Sequence, residues 1–216
     1  MAGELTDTVT AVLGGLGAER PAAGPALAFE EHARVVGAYQ WVERRLFEIL
    51  GAWVRSEPVV EARLLFDVHS AHHGWHAELW AQRLPVLDGL DPATLTLPPS
   101  VEVDRLLVAV AGGPPAAGPA GGGTLLRLVG LARVVLPRLV AGYGLHLRRA
   151  TLTTDGPVAR ALRLVVQDEI EAWQAAETMV QTLVHRPHDV AVVTAHQQAL
   201  EEMLAGIGPG LVPLSP

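Results

Sequence analysis

The feature that most narrows what this chain can fold into is an internal repeat. Displaced by 99 residues, the segment 58–84 aligns without a gap on 157–183, with eight identities in 27 positions, among them Pro58/Pro157, Ala62/Ala161, Glu78/Glu177 and Gln82/Gln181. Average residue usage would give roughly two or three. Both segments read as long amphipathic helices, and each follows a short break after another helical stretch. Two helices joined by so short a link lie antiparallel. The repeat therefore predicts two copies of one helical hairpin.

Taken in order, residues 1–28 read as an N-terminal arm and a Gly/Pro/Ala-rich linker. The first helix is expected from about Phe29 to Val54, with Val36, Tyr39, Glu43, Leu46, Leu50 and Trp53 on one line at three- and four-residue spacing. Glu43 thus falls inside an apolar stripe, where a carboxylate needs a positive or hydrogen-bonding partner. Ser56 as N-cap and Pro58 in the first turn open a second helix over 58–84. Residues 85–124 are too long for a turn and suit a crossover along a bundle, with a short helix at 101–111. A third helix follows from about Thr124 to Ala150, its inner line ending in Tyr143 and His146, with Arg127 and Arg138 turned away. Pro137 is expected to kink or split it. After Thr153-Thr154-Asp155-Gly156, the fourth helix (157–185) sets Leu162, Val165, Glu169, Trp173 and Val180 against a polar line, so a second acid interrupts an apolar face. A fifth helix is expected over 189–204, which makes 186–216 a C-terminal helix and tail.

The 216 residues carry a formal charge of −7 and include no Lys, Asn or Cys. With no basic cluster there is nothing to hold nucleic acid or an anionic membrane. Without cysteine, sulfur ligands and sulfur nucleophiles are excluded. The uncharged stretch 106–126 is interrupted by glycines and prolines and is no membrane span. The first residues lack the basic start and apolar core of a secretory signal, so a cytoplasmic protein is expected.

Chemistry concentrates between Asp67 and Trp80, where four of the nine histidines fall within eight residues. On a helix His69, His73 and His76 share one stripe, with His72 at its edge. Such imidazoles face a metal, a carboxylate, water or a partner. Their spacing matches no closed signature such as His-Glu-x-x-His. The competing reading is a set of buried polar groups satisfying one another: Glu43 and Glu169 bonded to His73 and Tyr143.

Hairpin, long crossover, hairpin, with an acid midway along a buried helix face, resembles the ferritin-like superfamily over residues 29–185. The resemblance implies an all-α, ferritin-like four-helix bundle with an additional C-terminal helix. It also implies a metal site built from a Glu on the first helix of each hairpin and a Glu-x-x-His on the second. Carried over residue by residue, these positions fall on Glu43, Gly142, Ser70 with His73, and Glu169 with Ala172, so that half of the six ligands remain. Two divalent ions need bridging carboxylates between them, and three groups are too few. One ion is retained if a further imidazole (His69, His76 or His146) joins. The expected metal ligands are Glu43, His73, His76 and Glu169, and the expected ion is iron or manganese. The function implied is a bundle with a reduced core metal site, binding one ion or serving as an interaction module. The alternative is a non-haem iron oxidoreductase using the rearranged His/Glu site.

A last pattern concerns the outside of the second helix. Leu64, Val68, Trp75 and Leu79 are apolar where the repeated helix is polar. Such a stripe requires cover. Either the fifth helix packs on it, or a second copy of the chain does, most simply about a two-fold axis as a homodimer.

Overall fold

In the computed structural model, residues 27–86, 91–112 and 122–214 are described; the N-terminal arm read from the sequence lies outside them apart from its last two residues. Eight α-helices and one π-helical segment account for most of this chain, and no strand occurs among the described residues. They are α1 (Phe29–Ser56), α2 (Val60–Ala81), α3 (Pro92–Leu95), α4 (Val101–Ala111), α5 (Gly122–Val129), the π-helical segment Gly130–Val135, α6 (Leu136–Arg149), α7 (Leu152–Leu183) and α8 (Pro187–Glu202).

The α1 stripe from Val36 to Trp53 is buried along its length. It packs on α2, which runs antiparallel: Ser70 Oγ donates to the Phe47 carbonyl at 3.0 Å. Gly74 faces the Phe47 ring closely: a Cβ there would stand 3.0 Å from Phe47 Cδ2. The link between the two helices is anchored by Glu57 rather than by the expected Ser56 cap. The buried Glu57 carboxylate accepts from the Val59 amide (3.2 Å), Thr124 Oγ1 (2.5 Å) and Arg127 Nη1 (3.0 Å), pinning the hairpin to the start of α5. Arg127 is therefore not a solvated residue; its guanidinium lies 5.6 Å from the centre of the Trp53 ring.

Pro137 does not break the third helix. A proline lacks the amide hydrogen, and its ring crowds the carbonyl four residues back. The wider turns of the π-helical segment Gly130–Val135, just ahead of it, relieve that crowding while the chain stays helical. The hairpin link that follows contains the expected break: α7 opens with a short helical stretch from Leu152, is interrupted by a kink at Asp155 (φ −121°, ψ 15°), and continues as the long helix beyond it.

The crossover carries α3 and α4. A Cβ on Gly37 would stand 2.2 Å from the Leu95 carbonyl oxygen, so α1 can receive the end of α3 only through a glycine. The fifth predicted helix, α8, packs against α4, α5 and the π-helical segment, not against α2. Arg138, read as turned away from the inner line, is buried beneath α8 and donates to Glu201 Oε2 at 2.5 Å and to the Gly208 carbonyl at 3.2 Å. Helix α6 has no wet face because α8 and the C-terminal tail cover the side left open by the other helices. Among the described residues, no helix is long and apolar enough to cross a membrane.

Candidate metal centre

Three helices converge on four buried side chains: Glu43 from α1, His73 and His76 from α2, and Glu169 from α7. Their helices place them there for an elementary reason. Residues three apart share a helix face, so His73 and His76 project side by side into the bundle while His72, directly before His73 in sequence, is exposed. The two acids arrive as the polar interruptions of apolar stripes on α1 and α7.

Both imidazoles turn Nδ1 toward the carboxylates. His73 Nδ1 lies 2.6 Å from Glu43 Oε2 and 3.3 Å from Glu169 Oε1; His76 Nδ1 lies 3.6 Å and 3.2 Å from the same two oxygens. One ligand atom from each of the four residues lies within 4.8 Å of every other, so the group could hold a metal ion. Four ligands at ~2.0 Å from a single ion stand about 3.3 Å apart in a tetrahedral arrangement. The measured separations scatter around that spacing. Two polar atoms of the group, His73 Nε2 and Glu169 Oε2, are buried without a hydrogen-bond partner, which is costly unless something else satisfies them.

A surrounding layer fixes the orientation. His76 Nε2 meets Asp168 Oδ2 at 3.1 Å, the arrangement that commonly holds a ligating imidazole in one tautomer. Tyr143 donates its hydroxyl to Glu43 Oε1, leaving Oε2 for the centre. The Tyr143 ring stacks on Trp80 (centroids 5.7 Å apart) and meets Tyr39 edge-on at 4.6 Å, forming an aromatic wall at one end of the site.

The electrostatics follow from burial and neighbours. Burial alone disfavours an imidazolium, but the Glu43 and Glu169 carboxylates beside His76 push its pKa up to about 11. The same two groups hold His73 above its ordinary value against the same desolvation. Burial would raise Glu43, yet the charges and hydrogen bonds of His73 and His76 pull it down to about 2. Burial, and then the nearby carboxylates, raise Tyr143, which stays a phenol donor. Without metal, the neighbouring carboxylates thus favour the protonated form of both imidazoles.

All four expected residues meet. His73, the imidazole kept at the Ser70-x-x-His73 position, contacts Glu169, and so does His76, one of the further imidazoles considered for the site. Ser70 is spent on α1. The other two imidazoles weighed for the site do not join. His69 is buried on the same helix with Nδ1 unpartnered, and burial lowers its pKa to about 3. His146 sits in a separate cluster 5.2 Å from the His32 ring, and it too is lowered to about 3 by burial. Gly142 faces the tail, where a Cβ would lie 3.4 Å from Gly210 Cα, while its neighbour Tyr143 turns into the site. Sequence reasoning missed Asp168; its one available signal was a second acid directly before Glu169. No protein-family model matches the chain, and no curated protein or solved structure is significantly similar to it.

Proposed function

We propose that this protein is a ferritin-like helical bundle that holds one divalent transition-metal ion in its core, with Glu43, His73, His76 and Glu169 as ligands. The observation that carries this reading is the convergence of two Nδ1 atoms and two carboxylate oxygens, from three helices, at the spacing one ion requires. The hairpin–crossover–hairpin order supports the ferritin-like assignment, and the acids of α1 and α7 stand where that architecture places ligands. The third helix presents Tyr143 instead of an acid, so the carboxylates that would bridge two ions are lacking and one ion is the natural load.

An N2O2 set of this kind suits iron, manganese or zinc. When bound, such an ion supplies Lewis acidity and, for iron or manganese, a one-electron couple. The chain's own part is to hold, orient and shield. Asp168 fixes the His76 ring so that Nδ1 faces inward, Tyr143 keeps Glu43 to a single free oxygen, and the aromatic wall keeps water from that side.

Protons that the carboxylates favour on His73 and His76 compete with the ion for these imidazoles. Binding therefore releases protons, and affinity rises with pH. Calorimetric titration of Mn²⁺ or Zn²⁺ into the metal-free chain at pH 7, in buffers of different ionisation enthalpy, is expected to show one to two protons released per ion bound. Binding without proton release would place the ion elsewhere on the molecule.

A further inference from the structure

Each of the four side chains of the candidate centre is at most 1% exposed. An ion therefore needs a way in between the helices, and an entry path is part of what a metal site must offer. Carrying a divalent charge past packed apolar side chains is costly unless polar groups replace its water along the way. Two residues outside the quartet bond to it. Tyr143 is itself fully buried, at the end of the site closed by Trp80 and Tyr39. Asp168 differs: its side chain is 32% exposed while Oδ2 meets His76 Nε2 at 3.1 Å. Of these two contacts, only the one through Asp168 leads to solvent.

We infer that Asp168, with His72 beside it, is the port through which the centre is loaded, and that the His76 ring is its gate; the inference rests on the metal reading above. Asp168 and Glu169 are consecutive on α7, and successive residues of a helix point about 100° apart. One carboxylate therefore reaches the rim and the other the core. They grip different nitrogens of the same ring: Asp168 Oδ2 holds His76 Nε2, and Glu169 Oε1 lies 3.2 Å from His76 Nδ1. His72 stands one turn before His76 on α2 and is exposed, its ring centre 6.4 Å from that of His76. The rim thus offers a carboxylate oxygen and an imidazole nitrogen, the same donor types as the interior. A single imidazole ring separates the rim donors from Glu43 and Glu169. The torsion that turns such a ring is broad and roughly two-fold, so His76 can let go of Asp168 and open the passage without displacing either helix. A carboxylate at the mouth also concentrates cations there and speeds their entry.

Stopped-flow mixing of the metal-free full chain with Co²⁺, followed by the visible absorbance of the bound ion, tests this. His72→Ala is expected to slow loading by about tenfold and to slow release into excess chelator by a similar factor. A group that acts only on the way in and out moves both rates together, so affinity and the load of one ion per chain stay as in the parent. Asp168→Asn should slow loading by about tenfold as well; a residue that merely orients His76 would speed release and leave loading alone. Glu202→Gln, exposed on α8, keeps the parent's rates, and circular dichroism checks that every variant is folded. Loading at the parent's rate in either His72→Ala or Asp168→Asn would overturn the port while leaving the metal site standing. A parent that takes up no Co²⁺ would overturn the metal reading and the port with it.

Discussion

Replacing Glu43 with alanine is expected to destabilise the metal-free protein by about 3–5 kcal/mol, the usual consequence of removing one member of a buried ion pair. Glu43 is fully buried and faces His73, His76 and Tyr143 at once. Its loss strands charge on two imidazoles and leaves a phenol without an acceptor. Against a total stability of ~5–15 kcal/mol for a domain, this is a large fraction. Urea denaturation with a chelator present measures it, with the exposed Glu78→Ala as a control expected to change stability by under about 0.5 kcal/mol. A loss below about 1 kcal/mol for Glu43→Ala would mean that the quartet is not the electrostatic unit described above.

The second large effect is a stability profile that falls on both sides of a maximum near neutrality. On the acid side, His69 and His146 are buried and their pKa values lie at about 3, below the ordinary 6.5. The unfolded chain binds those protons first, so their contribution is complete above about pH 6.5 and is lost as pH falls toward 3, at up to ~1.4 kcal/mol per unit for each group. Between pH 6.5 and 5 the pair is expected to cost on the order of 2–4 kcal/mol. On the alkaline side the sign reverses. His76 is raised to about 11, and His73 is raised as well. Their contribution is complete below about pH 6.5 and is lost as pH climbs through the folded values. A bound ion takes over the role of those protons, so metal should flatten the alkaline limb and leave the acid limb in place. Denaturation midpoints from pH 5 to 9.5, with and without metal, check both limbs. A flat acid limb would show that His69 and His146 are not held neutral in the interior.

Much of this architecture could be read from the residues alone. The apolar periodicity of 36–53, the short breaks near Glu57 and Asp155, and the gapless match of 58–84 with 157–183 led to two hairpins and a crossover, and the chain is helical in each of those places. Glu43 and Glu169 stood out because a carboxylate in an apolar stripe has to be partnered. The partners were harder to assign. The repeat placed His73 beside these acids as the imidazole kept at the Ser70-x-x-His73 position, but spacing along one helix left open which further histidine of α2 or α6 would join, because that depends on how the helices pack across the core. Arg127 and Arg138 do lie off the inner line, but a helical wheel cannot show that Glu57 and α8 cover that side, making Arg127 a partly buried and Arg138 a fully buried ion-pair member. The relief of Pro137 by a π-helical turn likewise has no signature in apolar spacing.

The central claim is that Glu43, His73, His76 and Glu169 act as one metal site, and counting ions tests it most directly. The full chain, stripped with chelator, equilibrated with iron, manganese or zinc and dialysed, is expected to retain about one ion per chain. A folded His73→Ala/Glu169→Ala variant should retain less than about a tenth of an ion. Retention below a tenth in the parent, or equal retention in parent and variant, would contradict the account.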